Sequence, residues 1–160
     1  MNITIRTAVT QSDLSNIERI VRSTGFFTEE EVAIAIELVD EFLKKGENSG
    51  YRFIFAETDN TTVGYSCYGL IPCTQISFDL YWIAVDNNYR SKGIGRTLMN
   101  ATEDAVIKLK GHQLFAETSD KPQYQPTRDF YESQGFVKVS QINDFYDYND
   151  GRVIYRKILK

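Results

Sequence analysis

At 160 residues, with 42% hydrophobic and 25% charged side chains, the chain is long enough to bury a core and too apolar to be disordered. Its net charge of −4 lacks the basic footprint of a nucleic-acid binder. The longest near-apolar run, Phe78 to Val85, falls far short of the ~20 residues a membrane helix needs, so no membrane association is expected.

The N-terminal Met1-Asn2-Ile3-Thr4-Ile5-Arg6 lacks the basic start and apolar stretch of a secretory signal. Cys67 and Cys73 have no C-x-x-C spacing and the chain holds one histidine, so no metal site is expected. Both cysteines read as reduced packing residues of a cytoplasmic protein rather than nucleophiles, and His112, beside Gly111 at a strand start, as structural. Even composition without repeats or linkers predicts one domain over residues 1–160.

Ile3 to Val9 is β-branched and alternating, so it reads as a strand. Leu14, Ile17, Ile20 and Val21 fall at helical spacing, with Ser12 or Asp13 near the start as a cap. Thr28-Glu29-Glu30-Glu31 is a capping box opening a second helix, whose Val32, Ile36, Val39 and Leu43 share a face and which ends before Gly46. Tyr51 to Glu57 and Thr62 to Leu70 read as a hairpin turned at Asp59-Asn60. Gln75 to Val85 is a long strand, and its apolar part predicts burial on both faces. Ile94, Leu98, Ala101, Ala105 and Leu109 mark an amphipathic helix stopped by Gly111. A strand over Gln113 to Thr118, a short helix over Thr127 to Gln134, and strands over Phe136 to Ile142 and Val153 to Leu159 complete the chain. The acidic, aromatic run Asp144 to Asp150 between those last strands reads as a solvated turn, the alternative being a loop that holds a cationic amine by charge and cation–π contact. The fold class is α/β in the α+β sense: a mixed, largely antiparallel sheet of six to seven strands flanked by about four helices.

The sharpest local signal is Arg90-Ser91-Lys92-Gly93-Ile94-Gly95-Arg96, between the long strand and the amphipathic helix. Glycine permits positive φ and close approach of the backbone to a ligand. A helix start offers unpaired N–H groups and partial positive charge, which suit a pyrophosphate. Arg90, Lys92 and Arg96 add three cations. On glycine spacing alone, a plain strand-to-helix turn fits about as well. A P-loop fits less well, because Gly95 is followed by Arg96-Thr97. So does a dinucleotide fold, whose glycines follow the first strand.

Arg90-x-x-Gly93-x-Gly95 resembles the acetyl-CoA motif of the GNAT acetyltransferase superfamily, and so do the preceding Ile83-Ala84-Val85-Asp86 and the distal Phe130-Tyr131-Glu132-Ser133-Gln134-Gly135-Phe136. The resemblance implies an N-acetyltransferase that moves an acetyl group from acetyl-CoA to a primary amine of a small molecule or peptide. It also implies two strands splayed in a V, with the pantetheine arm on the backbone around Ile83, Ala84 and Val85. The pyrophosphate would rest on the N–H groups of Ser91 to Arg96. Dimers are common in the superfamily, so a homodimer is one expected state.

Amine acylation needs a base for the amine, a donor for the oxyanion and an acid for the leaving thiolate. By resemblance, Tyr131 is the acid. Asp79 is the candidate base: an apolar strand should raise its pKa, and its position matches a catalytic Glu of some members. A strand-end carboxylate satisfied by a hydrogen bond is the alternative. Tyr124 stands where many members carry an Asn that contacts the cofactor arm, and Tyr124 to Arg128 reads as the entrance to the short helix. Phe26-Phe27 either lines the acceptor groove or packs beneath it. The rival functions are an acyl-CoA-binding or sensor domain without catalysis, and a toxin-like acetyltransferase acting on aminoacyl-tRNA, which the net acidity disfavours.

Overall fold

Helical and alternating runs fall in the order β-α-α-β-β-β-α-β-α-β-β, as the periodicities predict. The computed structural model describes residues 1–159. The strands are β1 (Thr4–Arg6), β2 (Arg52–Thr58), β3 (Thr61–Leu70), β4 (Ser77–Val85), β5 (Gln113–Ser119), β6 (Val137–Asp147) and β7 (Asp150–Ile158). The helices are α1 (Asp13–Ser23), α2 (Glu29–Lys45), α3 (Ile94–Lys108) and α4 (Gln125–Ser133). The strands form one seven-stranded mixed sheet in the order β1-β2-β3-β4-β5-β7-β6. β4 and β5 run parallel, and α3 connects them. The pairs β1–β2, β2–β3, β5–β7 and β6–β7 are antiparallel. The chain forms two compact units: Met1–Gly69 with Leu80–Ala105, and Leu70–Asp79 with Val106 onward.

In the first unit α1 and α2 turn Ile17, Ile20, Val21, Val32, Ala35 and Val39 onto Phe53, Phe55, Tyr65, Cys67 and Ala84. The rings of Phe53, Phe55 and Tyr65 stack within 6.4 Å of one another. The start of α2 is the reciprocal box the sequence shows: Glu31 N donates to Thr28 Oγ1 at 3.2 Å, and Thr28 N donates to Glu31 Oε1 at 3.1 Å. Asp59 and Asn60 both adopt positive φ, which a two-residue hairpin turn requires. α3 lies so close to β3 that a Cβ on Gly64 would stand 3.1 Å from Leu98 Cδ1. Beside it Ser66 and Thr102 share a buried hydroxyl–hydroxyl hydrogen bond of 2.7 Å.

Three expectations change here. β1 is only three residues long. Ser12 occupies the N-cap position of α1 without a capping bond, and Asp13 is recruited elsewhere: its buried carboxylate binds Arg6 through two 2.9 Å contacts and accepts from Thr10 N at 2.8 Å. β4 is not buried on both faces. Phe78, Leu80 and Ala84 are buried, whereas Asp79, Trp82, Ile83 and Val85 are half-buried and Tyr81 is exposed. Apolar composition alone could not show which side of that strand a helix covers.

In the second unit Phe78, Val106, Leu114, Ala116, Phe136, Val153 and Tyr155 are buried. The acidic, aromatic run is not a long turn. β6 continues to Asp147 and β7 begins at Asp150, leaving Tyr148-Asn149 as the turn, with Asn149 at φ 61°. Ladder pairing such as Ile142↔Arg152 and Asp147↔Asp150 holds residues of low strand preference in place, with a register shift between them.

Candidate functional site

A candidate anion site is built where β4 gives way to α3. Ile83 and Val85 are half-buried at the end of β4, and Ala84 points into the α1–α2 core. Arg90, Ser91, Lys92 and Gly93 are exposed, and α3 starts at Ile94. Positive φ falls on Ser91 (61°) and Gly93 (81°). Gly95, which the sequence marks as a second turn glycine, is already the second residue of the helix. A Cβ at Gly93 would meet nothing within 4 Å, so the glycine is needed there for its backbone conformation, not for space. The Thr97 amide and hydroxyl both bond Gly93 O, at 3.0 and 3.1 Å, which fixes the first helical turn. The amides before Thr97 are those a helix cannot satisfy internally. Lys92 Nζ lies 5.2 Å from the Tyr89 ring centre, and Arg90 Cζ lies 5.8 Å from that of Phe26. Together these features suit an anionic, phosphate-bearing group.

Phe26 and Phe27 divide their work. Phe26 meets Arg90 of the turn, while Phe27 packs on Trp82 of β4 at 5.0 Å.

A separate cluster in the other unit contains both residues expected to do chemistry. Asp79 is half-buried on β4, paired in register with Phe115 of β5. Burial raises its pKa, the charge of Glu117 raises it further, and Arg152 opposes them. Glu117 is held by Arg152: Arg152 Nε donates to its Oε2 at 2.7 Å, and Arg152 Nη2 reaches the same oxygen. Phe145 covers the guanidinium at 4.9 Å.

Tyr131 is buried, 6% exposed, within 6 Å of the rings of Phe130, Phe136 and Tyr155. Burial, then the charge of Glu117, then Tyr155 push its pKa well above the ordinary phenol value, so it stays protonated at neutral pH. Tyr155 is itself pushed up to about 12, chiefly by burial, and its hydroxyl donates to Glu132 at 3.3 Å. Among the described residues, the buried side-chain polar atoms without a partner are Tyr65 Oη and Trp82 Nε1.

Glu117 therefore acts on both Asp79 and Tyr131. Sequence reading did not find Glu117 or Arg152. They lie 35 positions apart on β5 and β7, and their pairing exists only once the β5–β7 register is set. The entrance to α4 lies earlier than expected: a tight turn over Pro122–Tyr124 leads into Gln125, so Gln125 to Arg128 belong to the helix, and Arg128 Nη1 fastens the turn by donating to Ser119 O at 2.6 Å and Lys121 O at 3.0 Å.

No group of three or more His, Cys, Asp or Glu suited to a metal ion occurs among the described residues. No helix among them is long and apolar enough to cross a membrane. Cys67 and Cys73 are both free thiols, one buried and one exposed.

The profile of the acetyltransferase (GNAT) domain matches residues 49–138, which includes β4, the turn and Tyr131. The chain belongs to the GNAT acetyltransferase family. A GNAT-family acetyltransferase structure from Desulfovibrio desulfuricans is 43% identical over 99% of this chain and 100% of its own, with a TM-score of 0.97. The ribosomal-protein-alanine N-acetyltransferase from Brucella melitensis is 25% identical over 98% of this chain and 99% of its own, with a TM-score of 0.78. An aminoglycoside 6'-N-acetyltransferase solved with coenzyme A shares the GNAT fold at 18% identity, a TM-score of 0.74, and coverage of 99% of this chain and 97% of its own. No curated protein sequence matches the chain.

Proposed function

We propose that the chain transfers an acetyl group directly from acetyl-CoA to a primary amine of a small molecule or a peptide. The observation that supports this reading is the match of residues 49–138, with β4, the turn and Tyr131, to the GNAT acetyltransferase domain; burial that raises the Asp79 pKa and keeps the Tyr131 phenol protonated agrees with it. Acetyl-CoA supplies the activated acyl group. The amides of Ser91 to Arg96 and the cations of Arg90, Lys92 and Arg96 bind its pyrophosphate, and the backbone of Ile83 to Val85 orients its arm.

Asp79 takes the proton from the ammonium group of the acceptor, so that nitrogen attacks the carbonyl carbon. Formation of the C–N bond gives a tetrahedral oxyanion; as it collapses and the C–S bond breaks, Tyr131 gives its proton to the departing sulfur and is reprotonated by the second proton released from nitrogen. A carboxylate with an elevated pKa is the better base; the upward shift at Tyr131 keeps the phenol neutral but makes it a weaker acid, so its role rests on position at the sulfur. The acceptor amine is cationic before it reacts, and Asp79 and Glu117 supply negative charge where it would enter. The coenzyme A complex of the aminoglycoside enzyme supports the choice of donor. The free thiols fit a reducing compartment such as the cytoplasm.

The test is steady-state release of free coenzyme A by site variants. Tyr131→Phe should lower kcat by about 10²-fold, the usual worth of a positioned acid, with the KM for acetyl-CoA nearly unchanged. Unchanged kcat would remove Tyr131 from the chemistry.

A further inference from the structure

The segment between β4 and the turn is fastened to α1 more firmly than a strand-to-helix connection requires. Asp86 follows the last residue of β4 and is 4% exposed. Its Oδ2 accepts from Arg19 Nη1 at 2.6 Å and its Oδ1 from Asn88 N at 3.0 Å. Its amide donates to Val63 O and its carbonyl accepts from Tyr89 N, both at 2.8 Å. Arg19 Nη2 donates to Thr62 O on β3 at 2.7 Å, so one guanidinium joins helix, sheet and loop. One helical turn further on, Ser23 Oγ accepts from Asn87 N at 3.0 Å while donating to Ile20 O at 2.6 Å.

The Asp86 carboxylate is buried but the Arg19 side chain is 43% exposed, and an ion pair screened by solvent in this way is a weak source of stability. What this pair supplies is position: it fixes where residues 86–89 leave the sheet. Binding by main-chain amides depends on that placement, since amides cannot adjust by changing rotamer and an error of about 1 Å is costly.

We infer that Arg19 and Asp86, with Ser23, form a clamp that sets the backbone of the turn Arg90–Arg96 for the acyl donor. They are positioning residues and touch no reacting atom. The inference rests on the reading that this turn binds acetyl-CoA.

Calorimetric titration with coenzyme A, beside thermal denaturation of the same samples, tests it. Arg19→Ala should weaken coenzyme A binding by roughly 10- to 100-fold, while kcat at saturating acetyl-CoA stays within about twofold. Arg19→Lys keeps the charge but loses the two-pronged geometry, so it should recover only part of the affinity. Ser23→Ala removes one loop anchor with little loss of packing and should weaken binding with a near-native melting temperature. Arg22→Ala removes an exposed pair with Glu18 and Glu29 on the same helix and should leave affinity unchanged. Unaltered coenzyme A affinity in both folded variants, Arg19→Lys and Ser23→Ala, overturns the clamp whatever happens to their melting temperatures. Failure of the unaltered protein to bind coenzyme A would instead overturn the reading of the turn itself.

Discussion

The proposed roles of Asp79 and Tyr131 depend on their neighbours, and the neighbours give a test by sign. A base must be ionised, so kcat/KM should fall as the pH drops through the Asp79 pKa. Glu117 raises that pKa and Arg152 lowers it. Glu117→Gln should therefore move the acid limb of the pH–rate profile to lower pH, and Arg152→Met should move it to higher pH. Both shifts are read from kcat/KM across the pH range, and movement of both in one direction would contradict the assignment. Glu117 also raises Tyr131, so Glu117→Gln should bring any alkaline limb to lower pH as well. Asp79→Asn should abolish the acid limb and lower kcat/KM by about 10²-fold. Tyr131 could be proposed from the sequence because Phe130 to Phe136 forms a local pattern. Glu117 could not, because its meaning depends on a cross-strand partner and on two groups brought near by the sheet.

At the scale of elements, the local rules worked wherever the determinants were local. The capping box of α2 formed as written, and Thr28→Ala should cost about 1 kcal/mol in urea denaturation. The hairpin turn at Asp59-Asn60 formed too, because only a few residue types tolerate positive φ there. The rules failed where tertiary contacts prevailed. Asp13 looks like a helix cap but serves as an ion-pair partner of Arg6. Burial would raise its pKa, but hydrogen bonds from Arg6, Thr10 and Asn16 outweigh it, and the net shift is downward. That pair therefore contributes stability above the unfolded carboxylate pKa of about 4, lost as pH falls through the lower folded value. The urea midpoint should fall on acidification below about pH 4, and less so in Asp13→Asn, which is itself destabilised by about 3 kcal/mol at neutral pH. The extension of β6 through Phe145 was hidden because Asp144 to Asp150 has turn composition. The β7 ladder decides the matter, and it places Phe145 over Arg152.

Over the whole molecule, order along the chain was more informative than any one motif. A glycine turn alone admits several anionic ligands. The same turn after an apolar strand and before Phe130–Phe136 matches one family, and the fold agrees. Acceptor chemistry is less legible: the proposed reading places it in the charge of Asp79, Glu117 and Arg152, which strand pairing assembles from distant positions. The central claim is amine-dependent transfer from acetyl-CoA. It is tested most directly by following free-thiol release from acetyl-CoA against a panel of polyamines, aminoglycosides, amino acids and peptide N-termini. The expected result is thiol release that saturates with at least one amine and is matched by acetylation of that amine. Coenzyme A binding without release for any amine would contradict catalysis and leave an acyl-CoA-binding domain.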